Sequence, residues 1–143
     1  MEQMENYDII LSLASNIQQE QNLTEALRRL SQVLFNLRLT KRLWTKPYKK
    51  SPSPSSVTEE NHKEPLYLNQ VLYAQTCFKA DELNEILKDI ETEMGRTPEL
   101  RAQGIVPIDL DLMKHDDTRY HLQDWERDYF LQLLQEETLE IIE

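Results

Sequence analysis

The sharpest chemical signal in the chain is Ile108-Asp109-Leu110-Asp111-Leu112. Side chains alternate along a strand, so Asp109 and Asp111 share one face while Ile108, Leu110 and Leu112 share the other. Two carboxylates at i and i+2 repel, and such a pair needs a compensating charge. A hard divalent cation supplies it directly, and magnesium is held by one or two carboxylates together with waters and substrate phosphates. The alternative is the polar outer face of an edge strand, since a bare D-x-D is common. Gly95-Arg96 and Arg101 lie shortly before the pair. Arginine forks match phosphate oxygens bidentately, so these two can anchor a polyphosphate beside a metal. Taken singly, each is equally an exposed cation in an acidic chain. His121 and Arg127 add nitrogen donors towards the C-terminus, although a lone histidine on a polar stretch is most often a surface residue.

Composition narrows the function classes. The 143 residues suit one domain over 1–143 with a core of its own. Lys and Arg number 16 against 26 Asp and Glu, a net charge of −10 that disfavours a general nucleic-acid binder. Only 2 glycines are present, which rules out a Gly-rich phosphate loop. The single cysteine, Cys77, excludes an internal disulfide framework and a Cys-based zinc site. No stretch approaches the roughly 20 apolar residues of a membrane span, and the polar N-terminus does not read as a leader. A soluble, reduced, cytoplasmic domain is expected, with neither nucleic acid nor membrane as partner.

The elements that must position these residues are legible in outline. Ile9–Leu13 reads as a buried strand. Leu23, Leu27, Leu30 and Leu34 recur at helical spacing, with Asn22 as the candidate cap. Phe35 to Trp44 alternates like a strand with one wet face. Thr45–Pro65 holds four prolines, a serine-rich core and Lys46, Lys49 and Lys50; it reads as a long mobile loop, and loops of this length are often lids or binding loops. Leu66–Phe78 reads as a strand and Ala80–Met94 as an amphipathic helix ended by Gly95. Ile105–Met113 reads as a strand, and Gln123–Glu143 as a helix with Trp125, Tyr129, Leu133 and Leu134 turned inward. The order is that of an α+β fold, a βαββαβ antiparallel sheet with packed helices on one face, the ferredoxin-like arrangement.

Several segments together resemble the 6-hydroxymethyl-7,8-dihydropterin pyrophosphokinase family over nearly the whole chain. Leu11-Ser12-Leu13-Ala14-Ser15-Asn16-Ile17 is similar to the family's L-S-L-G-S-N-L, with Ala14 for the glycine. Tyr67-Leu68-Asn69 matches Y-L-N; Glu91, Gly95 and Arg96 match E-x-x-x-G-R; Asp109-Leu110-Asp111-Leu112-Met113 matches D-L-D-I-M. From Tyr67 to Asp111 the match has no gap. His121 and Arg127 fall on the histidine and arginine of the C-terminal motif, and Tyr129 stands where the family has a stacking phenylalanine. Val106 stands where the family has a phosphate-contacting arginine, and the usual motif after the stacking aromatic is missing.

The resemblance implies transfer of diphosphate from ATP to the pterin alcohol in folate biosynthesis, by attack of the hydroxymethyl oxygen on the β-phosphorus. Asp109 and Asp111 are then the ligands of two magnesium ions, with ATP as co-substrate. Arg96, with Arg101 behind it, holds phosphate oxygens. Asn69 reads the pterin edge beside Tyr67, and Tyr129 with Tyr48 or Trp44 sandwiches the ring. Glu91, His121 and Arg127 belong to the nucleotide side, and Thr45–Pro65 closes over both substrates. A monomer is expected, with other folate enzymes as possible neighbours. Two rivals stand beside this reading: a catalytically weakened paralogue that still binds pterin or nucleotide, and a non-catalytic ferredoxin-like interaction domain.

Overall fold

Alternation along the central strands sorts the chain into two faces. In the computed structural model, residues 5–47, 65–135 and 140–142 are described. Tyr48, Lys49, Lys50 and the rest of 48–64 lie outside them, so the expectations for Tyr48 and for most of the long loop fall there. The elements are β1 (Tyr7–Ser15), α1 (Gln19–Leu30), β2 (Phe35–Leu39), β3 (Leu43–Thr45), β4 (Tyr67–Thr76), α2 (Ala80–Glu93) and α3 (Pro98–Ala102), followed by β5 (Asp109–His115), β6 (Thr118–Arg119), a 3-10 turn (Asp124–Glu126), α4 (Asp128–Leu134) and β7 (Glu140–Ile142). The strands pair antiparallel in the order β6-β5-β1-β4-β2-β7, with β3 also on β4. β5-β1-β4-β2 is the four-stranded core of the ferredoxin-like sheet that the element order implied.

On one face Leu11, Leu13, Leu72, Leu110 and Leu112 pack against Leu23, Leu27 and Leu30 of α1 and Leu83, Leu87 and Ile90 of α2. Among the described residues, the other face is only partly covered. There α4 sets Phe130 and Leu133 on Val71 and Met113, forming a small second core. The register of β1 against β5 shifts between Ile10 and Leu11, leaving Met113 as an extra residue on β5. A bulge of this kind bends the strand, and Met113, which alternates onto the same face as Asp109 and Asp111, packs into that core.

Five readings of the sequence change. Helix α1 starts at Gln19, so Asn22 is not its cap; the Asn22 amide donates instead to the Ile17 carbonyl at 2.8 Å. Phe35–Trp44 is two strands, because the Thr40 hydroxyl accepts the Val71 N–H at 3.0 Å and takes the place of a ladder bond. Strand β5 begins at Asp109, and 105–108 is irregular chain. Only part of Gln123–Glu143 is helical: α4 is 7 residues, and β7 at Glu140–Ile142 adds to β2. Isolated short helices are marginal, and the open edge of β2 offers the tail a ladder instead. Helices also cover both faces rather than one, since Phe130 has an apolar floor at Val71 and Met113 to bury against.

Leu13 is fully buried at the centre of β1. Leu13→Ala should cost about 2–5 kcal/mol through lost transfer energy and the cavity left behind. Urea unfolding should show a lower midpoint with an unchanged m-value.

Candidate functional site

Asp109 and Asp111 sit opposite Ala14 and Ser12 of β1, on the face away from α1 and α2. Strand β6 pairs only with Lys114 and His115, so the outer edge of β5 at Asp109–Asp111 has no strand beside it among the described residues. Helix α2 closes that edge with side chains. Gly95, at φ 102°, adopts the left-handed conformation that lets the chain reverse after α2, and the Arg96 N–H donates to the Glu91 carbonyl at 3.0 Å. The Arg96 side chain is thereby returned to the strand. Its Nη1 donates to Glu91 Oε2 and to Asp109 Oδ1, both at 2.9 Å. Glu91 Oε2 also accepts the Leu110 N–H at 2.7 Å.

The next loop is fixed from β1. Asn16 accepts the Val106 N–H on its Oδ1 at 2.7 Å, donates its Nδ2 to the Gly104 carbonyl at 2.7 Å, and donates its own N–H to the Val106 carbonyl at 3.0 Å. On the other side Trp125 Nε1 donates to the carbonyls of Met113 and Tyr120, and its ring meets Phe130 edge-on at 5.0 Å. That anchor sets Asp124, Arg127 and Tyr129 beside the carboxylates. His121, held at φ 53°, brings Nε2 to 3.7 Å from Asp111 Oδ1. A non-glycine residue in this conformation is strained by about 1 kcal/mol or more, and such residues concentrate at sites of function.

Two cavities meet at the carboxylate pair. One, of about 310 Å³, lies on the outer sheet face and is lined by Thr45, Lys46, Asn69, Arg127 and Tyr129 among others. The second, of about 570 Å³, lies along the open edge of β5 and is lined by Lys88, Glu91, Arg96, Arg101 and His121 among others. Asp109 and Asp111 line both. Among the described residues, no three or more His, Cys, Asp or Glu side chains converge as a metal cage. Two carboxylates with open positions suit a magnesium ion, which keeps waters and takes phosphate oxygens.

The electrostatics follow from crowding. Burial, then the neighbouring Asp109, pushes the Asp111 carboxyl from the ordinary 3.8 up to about 7, with His121 opposing. Burial also raises Glu91, offset in part by the Leu110 N–H and the Arg96 guanidinium. The Tyr129 hydroxyl is raised by burial and restrained by its hydrogen bond with Arg127.

Residues 10–138 match the sequence family described as 7,8-dihydro-6-hydroxymethylpterin-pyrophosphokinase. The chain belongs to this family. It is also 28% identical over 133 residues to a folate synthesis bifunctional protein of Arabidopsis thaliana. That match covers 87% of this chain and 25% of the plant protein, so the chain spans about a quarter of its relative's length. No described helix is long and apolar enough to cross a membrane.

Within this pyrophosphokinase-family fold, the residues singled out in the sequence divide between the two cavities. Glu91, Arg96, Arg101 and His121 line the larger one, while Tyr67, Asn69 and Tyr129 line the smaller. Arg127, expected on the nucleotide side, lines the smaller cavity and pairs with Asp124 at 2.9 Å. Asn69 also serves the fold, because its Nδ2 donates to the Leu43 carbonyl and the Thr45 hydroxyl and so ties β3 to β4. Trp44, a candidate for the ring sandwich, is not among the lining residues of the smaller cavity; Thr45, Lys46 and Pro47 are. Asn84, Lys88 and Asp124 line the cavities without having stood out in the sequence. Asn84 and Lys88 share a helical face with Glu91 at i, i+4 and i+7, a spacing that could have revealed them. Asp124 comes in through tertiary packing alone.

The raised Asp111 carboxyl has a consequence for stability. The folded state binds this proton more tightly than the unfolded chain does, so the stabilisation is complete below about pH 4 and is lost as pH rises through about 7. Urea midpoints of the wild type should therefore fall between about pH 5 and about pH 8, and Asp111→Asn should flatten the difference. Magnesium bound at this pair should release a proton below about pH 7, which calorimetry in buffers of different ionisation enthalpy detects.

Proposed function

We propose that the protein transfers diphosphate from ATP to the hydroxymethyl group of 6-hydroxymethyl-7,8-dihydropterin, acting as a folate-pathway pyrophosphokinase. The observation that carries this reading is the shared wall: two cavities of different size with one carboxylate pair between them. The larger, with Lys88, Arg96 and Arg101 along it, suits a nucleotide and its phosphates. The smaller, with Tyr129 and Asn69, suits a flat heterocycle that stacks and hydrogen-bonds. Family membership supports the same assignment.

The hydroxymethyl oxygen attacks the β-phosphorus and gives up its proton to water, while the bond from that phosphorus to the oxygen of AMP breaks and AMP leaves. Positioning and charge neutralisation dominate such transfers. Asp109 and Asp111 would hold two magnesium ions, which when bound neutralise the phosphates and orient them for in-line displacement. Arg96, Lys88 and Arg101 bear on phosphate oxygens, with His121 beside Asp111. Asn69, Tyr67 and Tyr129 orient the pterin, and Arg127 fixes the Tyr129 hydroxyl. The weakened-paralogue reading draws on one observation. The Gly104–Val106 loop is pinned to Asn16 and brings no side-chain cation to the phosphates.

An assay of AMP release, set beside calorimetry with magnesium, an ATP analogue and the pterin, tests the proposal. Pterin-dependent AMP release is expected; binding without release identifies the weakened paralogue, and absence of magnesium-dependent nucleotide binding overturns both. Asp109→Ala or Asp111→Ala should abolish magnesium-dependent nucleotide binding while leaving the fold intact, since each relieves a like-charge pair. Asn69→Ala should weaken pterin binding by about tenfold or more, leave nucleotide binding near that of the wild type, and lower the thermal midpoint as β3 loosens. Equal losses for both ligands would confine Asn69 to its structural role.

A further inference from the structure

Glu91 stands at the larger cavity, yet its carboxylate is engaged by the protein itself. The side chain is only 13% exposed, and the same Oε2 receives the Leu110 N–H at 2.7 Å and Arg96 Nη1 at 2.9 Å. Leu110 lies between the two aspartates on the stretch of β5 that has no outer strand among the described residues. A buried backbone N–H without a partner is costly, so Glu91 does for this edge what a neighbouring strand would do.

Arg96 adds a second link. Its Nη1 is shared between Glu91 and Asp109 at equal distances, with the Ile108 carbonyl at 3.5 Å as a weak third contact. Nε and Nη2 make no hydrogen bond among the described residues, which leaves most of the guanidinium fork open to a ligand. A divalent cation on Asp109 competes with Arg96 for that carboxylate. Because Glu91 already holds the same nitrogen, Arg96 can lose Asp109 without turning away from the cavity.

We infer that Glu91 is a positioning residue: it holds the Leu110 N–H, and it retains Arg96 when a divalent cation takes the Asp109 carboxylate, so that the free side of the guanidinium meets phosphate. This rests on the magnesium–nucleotide reading of the site. It differs from a direct nucleotide contact by Glu91, which would leave β5 and the metal requirement indifferent to this side chain.

Glu91→Gln and Glu91→Ala separate the two roles. Glutamine keeps an acceptor for Leu110 but loses the charge that retains Arg96; alanine loses both. In the free protein, amide exchange at Leu110 should be near the wild-type rate in Glu91→Gln and about tenfold faster or more in Glu91→Ala. Magnesium titrations with a non-hydrolysable ATP analogue should show the half-saturating magnesium concentration raised about tenfold in Glu91→Gln, with pterin affinity unchanged. Unaltered Leu110 exchange in Glu91→Ala, or an unaltered magnesium requirement in Glu91→Gln, overturns the inference. A wild-type protein that takes no magnesium-dependent nucleotide overturns the functional reading and the partner exchange with it. In that case Leu110 exchange still reports whether Glu91 holds the strand.

Discussion

Asp109 and Asp111 project from the same side of β5, one pleat apart and half-buried, where their charges repel. Burial and that repulsion push the Asp111 carboxyl up to about 7. Among the described residues, the strand that bears the pair has no outer neighbour at this point, which would leave Leu110 to the cost of an unsatisfied N–H. Glu91 and Arg96 answer both problems at once. One carboxylate supplies the missing acceptor, and one guanidinium neutralises Asp109. The sheet order, the sharp end of α2 and the fixed Gly104–Val106 loop all serve to bring these groups together.

The incomplete cover of the second sheet face is what leaves room for a ligand. The leucine-rich face is closed by α1 and α2 and forms the main core. On the other face α4 is short, and its buried Phe130 and Leu133 form a small cluster with Val71 and Met113, joined by the partly buried Ile10, Leu43 and Tyr73. Beyond them, Ser12, Ala14 and Asn69 line the smaller cavity. Asn69 and Ser12 are buried polar residues on a face that a purely structural sheet would line with apolar side chains. Departure from the best packing marks the site, as expected where local consistency gives way to function.

Acidic composition acquires a meaning in this setting. The larger cavity places Lys88, Arg96, Arg101 and His121 around the carboxylates, against a chain with net charge −10. A local concentration of cationic donors in one cleft favours an anion more than the average charge would suggest. The average still disfavours extended polyanions over the whole surface. A small, metal-complexed phosphate ligand satisfies both conditions.

Much of this was legible in the chain itself. Apolar residues spaced by 3 and 4 marked α1 and α2, because burial of one helix face repeats with the period of the backbone, while apolar and aromatic runs marked β1 and β4 and alternation marked the two faces of β5. The D-x-D pair was readable for the same reason: strand geometry alone puts both carboxylates on one side. Gly95 announced the end of α2 because few other residues adopt its left-handed conformation without strain. Other features depended on partners distant in sequence. Thr40 breaks a strand only because Val71 lies opposite its hydroxyl, and the tail gains β7 only because β2 has an open edge. Arg127 falls in the smaller cavity because Trp125 is anchored to Met113 and Tyr120. The engagement of Glu91 with Leu110, 19 residues away, is likewise a fact of packing between α2 and β5. Periodic burial is written in the order of residues; which polar group completes an unpaired edge is decided only when the elements meet.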